Sequence, residues 1–144
     1  MGYQLPEIVK AAERILVEVE KAVRAFPRYH KYAHGARLRD QAMAVAQAAH
    51  RAWRDRAHQV VAIERLSDAI DDMKISLQLG KQIEAFASFA QFEMLARLVS
   101  ELGRQCGGWR RQKRRRGQNA IEPSASSQRA QVLSSRDASS EAYS

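Results

Sequence analysis

Few residues able to do chemistry in this 144-residue chain stand at spacings that chemistry requires. His30 and His34 are four residues apart, which would suit two metal ligands on a helix, but they lie in a predicted loop without a cysteine or carboxylate pair nearby. Asp71 and Asp72 are adjacent, so on a helix they point in different directions and cannot share a proton. The chain has neither a glycine-rich phosphate loop nor a nucleophile elbow. We therefore predict no catalytic residues, no metal site and no cofactor.

The single cysteine and the hydropathy pattern suggest a compartment. Cys106 excludes an internal disulfide, which is typical of a reducing environment and predicts a cytoplasmic protein. Cys106 also lies on an apolar helical stripe, where free cysteine packs as a small hydrophobe. The longest apolar run is too short to cross a bilayer, so we predict no membrane partner.

Positive charge is unevenly distributed along the chain, whose formal net charge is +8. Residues 1–109 carry 16 Lys/Arg against 13 Asp/Glu, whereas residues 110–144 carry 8 against 3. The excess favours nucleic acid, an acidic protein or anionic lipid as partner without choosing among them. We predict one folded domain, 1–109, followed by a basic run and tail, 110–144.

Apolar residues alternate at spacings of three and four in four segments, which predicts four amphipathic helices. Four helices joined by short loops predict an all-α, antiparallel up-down four-helix bundle. The predicted seams are Ile8, Ala12, Ile15, Val19, Ala22 and Phe26; Leu38, Ala42, Val45, Ala49 and Ala52; Ile63, Leu66, Ile70, Met73, Leu77 and Gly80; and Phe92, Leu95, Val99, Leu102, Cys106 and Trp109.

Proline and charge patterns predict where the first helices end. Pro27 disfavours helical geometry at the residue before it, so the first helix should stop there. Residues 28–35 are predicted to form a loop, and the second helix begins near Gly35. The charged stretch 54–59 interrupts the next pattern and separates the second helix from the third.

The last helix has its own start and stop signals. Ser88 and Gln91 have capping-box spacing, so the preceding turn lies just before Ser88 and Gly80 is internal to the third helix. Gly107 is suited to a left-handed C-cap, after which Trp109 would fold back and close the core.

The second helix is apolar on most of its circumference. Met43, Ala44 and Ala48 lie off the seam, and a helix that is apolar nearly all round is buried on more than one side. We interpret these three residues as an oligomer interface. The alternative is that alanine is present only as a good helix former on the surface.

The C-terminal segment begins with the basic run 110–116 and continues into a Ser-rich tail. From Gly117 onward the chain has few large apolar residues, and we predict that it is disordered. The basic run either contacts a partner or extends the last helix into solvent.

Cations off the apolar seams are candidate phosphate ligands, because long cations spread over several elements suit a nucleic-acid backbone better than base readout. Tyr29 and Tyr32 interleave the first cluster and either stack on an unpaired base or pack locally. The candidate nucleic-acid-binding residues are Arg28, Lys31, Arg37, Arg51, Arg54, Arg110, Arg111, Lys113, Arg114, Arg115 and Arg116.

Two stretches carry a family resemblance. FPRYHKYAHGARL, residues 26–38, is similar to the loop F-P-[KR]-x-x-[KR]-[FY]-x-x-G-x-R-L of the accessory variability determinant of diversity-generating retroelements. ELGRQCGGW, residues 101–109, is similar to the end of that family's fourth helix. The positions that match the first motif are Phe26, Pro27, Arg28, Lys31, Tyr32, Gly35, Arg37 and Leu38.

The resemblance implies a homopentameric barrel of four-helix bundles. It also implies a reverse transcriptase partner and binding to template RNA or cDNA during mutagenic cDNA synthesis. The wider family includes the intervening-sequence protein of ribosomal RNA, so the alternative is a ribosomal-RNA-associated bundle without a polymerase partner. The Arg-rich and Ser-rich C-terminus departs from the family pattern.

Overall fold

The computed structural model describes the backbone of residues 5–141 and the side chains of residues 5–117. Within that range four long helices are present and no strand, which confirms the predicted all-α class. The elements in order are α1 (Glu7–Arg24), α2 (Arg28–Lys31), α3 (His34–Arg54), a short 3-10 helix (Arg56–His58), α4 (Gln59–Gln82) and α5 (Phe89–Glu141).

Each predicted seam faces the interior. All seam residues of α1, α3 and α4 are buried, and so are those of α5 from Phe92 to Cys106. They form one hydrophobic cluster to which all four long helices contribute, with Trp109 partly buried against it. The spacing of three and four therefore identified the core correctly.

Contacts between helices show that sequence neighbours run antiparallel. In each pair, the C-terminal part of one helix contacts the N-terminal part of the next. The helices therefore alternate up and down around the core. The hydrogen bonds that show this are Arg39–Glu20 (2.9 Å) and His50–Glu13 (2.7 Å) between α1 and α3, His34–Ser76 (2.9 Å) and Gln59–Ala52 (2.8 Å) between α3 and α4, and Cys106–Ile63 (3.7 Å) between α5 and α4.

Two prolines start the first two helices. The carbonyl of Pro6 accepts hydrogen bonds from the first turn of α1, and the carbonyl of Pro27 does the same for α2. Their own missing N–H groups cost nothing at these positions. The predicted loop 28–35 is wrong in part, because residues 28–31 form the short α2 and α3 already begins at His34.

The turn between α4 and α5 follows its sequence signals. Gly80 is internal to α4, and a Cβ there would lie 2.8 Å from the Phe86 ring and 3.0 Å from His34 Nε2. The backbone N–H of Glu84 donates to Lys81 O (3.1 Å) and that of Ala85 to Gly80 O (2.9 Å), which is a Schellman motif. Glu84 therefore has a φ of 59°, in the left-handed region.

The start of α5 confirms the predicted cap by Ser88 and Gln91, although the Gln91 side chain reaches one residue before Ser88. The backbone N–H of Gln91 donates to Ser88 Oγ (3.2 Å), and the Gln91 side chain accepts from the N–H of Ala87 (3.3 Å). The predicted end at Gly107 is wrong, since α5 continues through it and no glycine in the described residues has a positive φ. The following Arg, Gln and Lys residues are good helix formers, which offsets the cost of a glycine of about 1 kcal/mol.

Helix α5 continues to Glu141, although the chain divides into two units between Arg110 and Arg111. Side chains after Gly117 lie outside the described part, and so does the backbone of 142–144. The predicted disorder of Gly117–Ser144 stays a prediction.

Replacing Leu102 by alanine should lower the free energy of unfolding by about 2–5 kcal/mol, because its side chain is 0% exposed and a cavity would remain. Leu79→Ala is the matched control, since Leu79 is 45% exposed and its loss should change stability by about 0.5 kcal/mol or less. Urea unfolding measures both, and equal losses would contradict the assignment of the core.

Replacing Glu84 by glycine should stabilise the protein by about 0.5–1 kcal/mol. Relief of the left-handed strain contributes about 1–2 kcal/mol, and the greater backbone entropy of glycine offsets about 0.5–1 kcal/mol of it. Glu93→Gly, at an exposed site inside α5, should instead destabilise by about 1 kcal/mol. Melting temperatures that shift in the same direction for both variants would contradict the role of the Schellman turn.

Candidate nucleic-acid interface

The predicted cations of the bundle unit differ in how far they reach solvent. Arg28, Arg37, Arg51 and Arg54 are exposed, whereas Lys31 is half-buried. In the second unit, Arg111, Arg114, Arg115 and Arg116 are exposed and Lys113 is half-buried.

Helix α3 carries an unbalanced set of charges. It has four arginines and a single acidic residue, Asp40. The seam faces inward against α1 and α4, so these arginines are left on the outer part of the helix. An exposed helix with this balance is a source of positive potential along its length.

A cleft of about 180 Å³ lies beside the first half of α3. We call it the Tyr32 cleft, and its lining comes from α1, the α2 end and α3: Glu20, Val23, Arg24, Lys31, Tyr32 and Arg39. Lys31 was predicted from the sequence and Tyr32 was a candidate for stacking, whereas Arg24 and Arg39 were missed. In the sequence, these two arginines differ from buried residues only by lying off the apolar seams. Most surface cations also lie off the seams, so that feature could not single them out.

One ion pair, between Arg39 and Glu20, lies in the Tyr32 cleft. The Arg39 Nε–H donates to Glu20 Oε2 at 2.9 Å. This hydrogen bond, and then the charge of the carboxylate, raise the pKa of Arg39 above its usual value. The ion pair therefore orients Arg39, and the three cations outweigh the single carboxylate.

A second cleft of about 110 Å³ lies where α3 meets α4. We call it the Arg51 cleft, and its lining is Ala48, Arg51, Asp55, His58, Val61, Ala62 and Arg65. Asp55 ends α3 and accepts a hydrogen bond from the backbone N–H of His58 (3.1 Å). Arg65, which lies six residues beyond the predicted break at 54–59, was missed at the sequence level.

The two loop tyrosines do not pack into the core. Tyr29 is 86% exposed and Tyr32 is 74% exposed, so both rings are open to solvent. Tyr29 contacts the His30 ring edge to face at 5.1 Å and is not among the lining residues of either cleft. Only Tyr32 is placed beside a group of cations.

Arg110 differs from the other arginines of the predicted basic run. It is half-buried, and its Nη1–H donates to Glu64 Oε1 at 3.2 Å. Its Nε is buried without a hydrogen-bond partner among the described residues. Arg110 thus links α5 to α4 within the bundle through an ion pair. It is less available to phosphate than the exposed residues after it.

The predicted oligomer residues lie at different places on α3. Met43 is 45% exposed, Ala44 is exposed, and Ala48 is half-buried in the Arg51 cleft. Ala46, which also contributes to the apolar appearance of the helix, is buried in the core of its own chain. The oligomer interface stays a prediction.

Two residues with reactive side chains have structural roles. Cys106 is 1% exposed, its thiol donates to Ile63 O, and burial raises its pKa to about 11. Its predicted role in core packing is confirmed. His34, which was predicted to lie in a loop, is buried and donates from Nε2 to Ser76 O, so that Nδ1 accepts from Arg37 Nη1 at 3.4 Å.

The residues that the structure describes contain neither a group of metal ligands nor a membrane-spanning helix. There, no three His, Cys, Asp or Glu side chains are grouped as a metal site would require. None of the described helices has the length and apolarity needed to cross a bilayer. No protein-family model, curated protein or solved structure matches this chain significantly.

Proposed function

We propose that this protein is a non-enzymatic nucleic-acid-binding bundle whose contact surface is α3 and the two clefts beside it. The observation that carries the proposal is the position of these clefts: each lies against α3, and each gathers at least two arginines from different helices. Cations arranged over several elements can follow a phosphate backbone without reading its sequence.

A role as a binding protein fits the size and chemistry of the clefts better than catalysis. Both are smaller than the roughly 300–1,000 Å³ of ordinary cofactor and substrate pockets. Cys106 is protonated and buried, which removes the usual reactive form of the thiol. The His58 ring is held by the Asp55 carboxylate at 3.2 Å, as part of a helix end.

We further propose that the partner is a reverse transcriptase and that the nucleic acid is the template RNA or cDNA of a diversity-generating retroelement. The support is the resemblance of residues 26–38 and 101–109. In the first motif Phe26, Gly35 and Leu38 are buried and Pro27 starts α2. These positions support the family's fold, whereas the exposed Arg28 and Arg37 support its basic surface.

The alternative is a ribosomal-RNA-associated bundle without a polymerase partner, which the same buried motif residues would also suit. The two differ in genomic context and in activity. A neighbouring reverse transcriptase gene with near-identical repeats, and stimulation of that enzyme's cDNA synthesis by this protein, would favour the retroelement role. Tight binding to ribosomal RNA without either finding would favour the alternative.

The remaining parts of the proposal concern assembly and location. The resemblance suggests a homopentamer, the single cysteine suggests the cytoplasm, and the composition after Gly117 suggests a disordered tail. The exposed Met43 and Ala44 support a contact between subunits. In a ring, weak basic clefts would be repeated and would bind a long nucleic acid together with higher avidity.

Arg51→Glu should weaken binding to a single-stranded RNA or DNA oligonucleotide whatever its sequence, because attraction to a phosphate is replaced by repulsion. The salt dependence of log Kd should become flatter, by about 0.7 for each phosphate of a single strand that the protein no longer neutralises. Arg97→Glu, on exposed α5, changes the net charge equally and should have a smaller effect. Fluorescence anisotropy over a series of salt concentrations measures both variants.

Deleting residues 111–144 tests the competing site while keeping the Arg110–Glu64 pair of the bundle. We expect the truncated protein to retain salt-dependent binding. Complete loss of binding on truncation, with none in Arg51→Glu, would show that the second unit alone binds nucleic acid.

Ala44→Glu should dissociate the proposed oligomer while the helices stay folded, because an unpaired carboxylate would be buried between subunits. Analytical ultracentrifugation gives the mass, and circular dichroism checks the fold. Ala90→Glu, the same substitution at an exposed alanine at the start of α5, is the control. An Ala44→Glu variant with the mass of the unmodified oligomer would place this face outside the interface.

A further inference from the structure

We propose that the Tyr32 cleft holds one unpaired nucleotide, with its base stacked on the Tyr32 ring and its phosphate bound by Arg24 and Lys31. This rests on the proposed nucleic-acid binding and adds that the protein prefers a single strand over a duplex. The observation behind this proposal is that an exposed aromatic ring lies beside cations without a paired carboxylate. Both belong to one cleft, whose lining also includes the apolar Val23.

The cations of the cleft are not equivalent. Among the described residues, Arg24 and Lys31 have no ion-pair partner, whereas Arg39 is paired with Glu20. An incoming phosphate therefore meets two available cations without first breaking a salt bridge. Arg39 lines the α3 side of the cleft and is held there by its ion pair with Glu20.

The Tyr32 ring indicates an unpaired base. A ring that is 74% exposed gives up few contacts within the protein when a base stacks on it. It can stack on any base, because every base has a π-face. Inside a duplex those faces are already covered by neighbouring bases, so the ring cannot reach them. A cleft of about 180 Å³ suits a phosphate and its sugar, while the base lies on the ring at the rim.

Helix electrostatics account for only part of this arrangement. Arg24 lies in the last turn of α1 and Lys31 in the last turn of α2, where cations stabilise the helix dipole. That effect requires neither an exposed tyrosine at the C-cap of α2 nor a third cation from α3. Three elements thus supply the ring and the cations that would contact the base and the phosphate of a nucleotide.

Anisotropy with a labelled 12-nucleotide oligo-uridine and the full chain tests the site. Tyr32→Leu should weaken binding by about 5- to 150-fold, which is the usual range for losing one stacked base. Phe89→Leu removes another exposed aromatic ring, outside both clefts, and should leave the affinity unchanged. Tyr29→Leu should also have little effect, which would show that only one of the two loop tyrosines contributes to binding.

Two further measurements separate stacking from charge. On an abasic strand of the same length, unmodified protein and Tyr32→Leu should bind equally, while Arg24→Gln should still weaken binding. Glu20→Gln removes the carboxylate of the cleft and should tighten binding to both strands. A blunt duplex should bind Tyr32→Leu and the unmodified protein with the same affinity.

The outcomes distinguish this inference from the proposed function. If the unmodified protein binds and Tyr32→Leu binds equally well, the nucleotide site is overturned and the proposed function stands. If the unmodified protein binds no RNA or DNA, the proposed function fails. Titration with uridine monophosphate then tests whether the cleft binds a nucleotide. Unchanged NMR signals of the Tyr32 ring would overturn the nucleotide site as well.

Discussion

The packing of α3 is the constraint on which the rest of this structure depends. Its seam is buried, and it packs against α1, α2 and α4. Because the apolar stripe must face the core, four arginines are left on the outer part of the helix. The grooves on its two sides then become the two basic clefts. Core formation and the placement of charge are thus two consequences of one helix orientation.

Close contacts at one end of the bundle hold α3 in that position. Gly35 allows α3 to approach α1, since a Cβ there would lie 2.7 Å from Val23 Cγ1. The Phe26 and Phe86 rings meet edge to face at 5.2 Å and connect the α1 end to the α4–α5 turn. The buried His34 bonds to Ser76 O of α4. The short α2 lies between these contacts in the chain, with Lys31 and Tyr32 at its end.

Positive charge has two different roles in this chain. Arg110 and Arg39 are paired with carboxylates on neighbouring helices and take part in the fold. Arg24, Lys31, Arg51 and Arg65 line clefts without such pairing among the described residues. Exposed ion pairs contribute little to stability, so these unpaired cations cost the fold little, and under the proposed function they would face an anionic partner. This division is why composition alone is a poor guide to the binding surface.

The amino-acid sequence by itself determined the four helices, their buried seams, the breaks near residues 27 and 55, the internal Gly80 and the capping box at Ser88. These features depend on periodicity and on neighbours within about four residues, which are local properties of the chain. Only the tertiary structure decided that α5 passes through Gly107, that Arg110 pairs with Glu64, that His34 is buried, and that Arg24, Lys31, Tyr32 and Arg39 share a cleft. Those outcomes depend on how helices rotate and approach one another when the common core closes, and the spacing of residues along one chain contains no measure of that rotation.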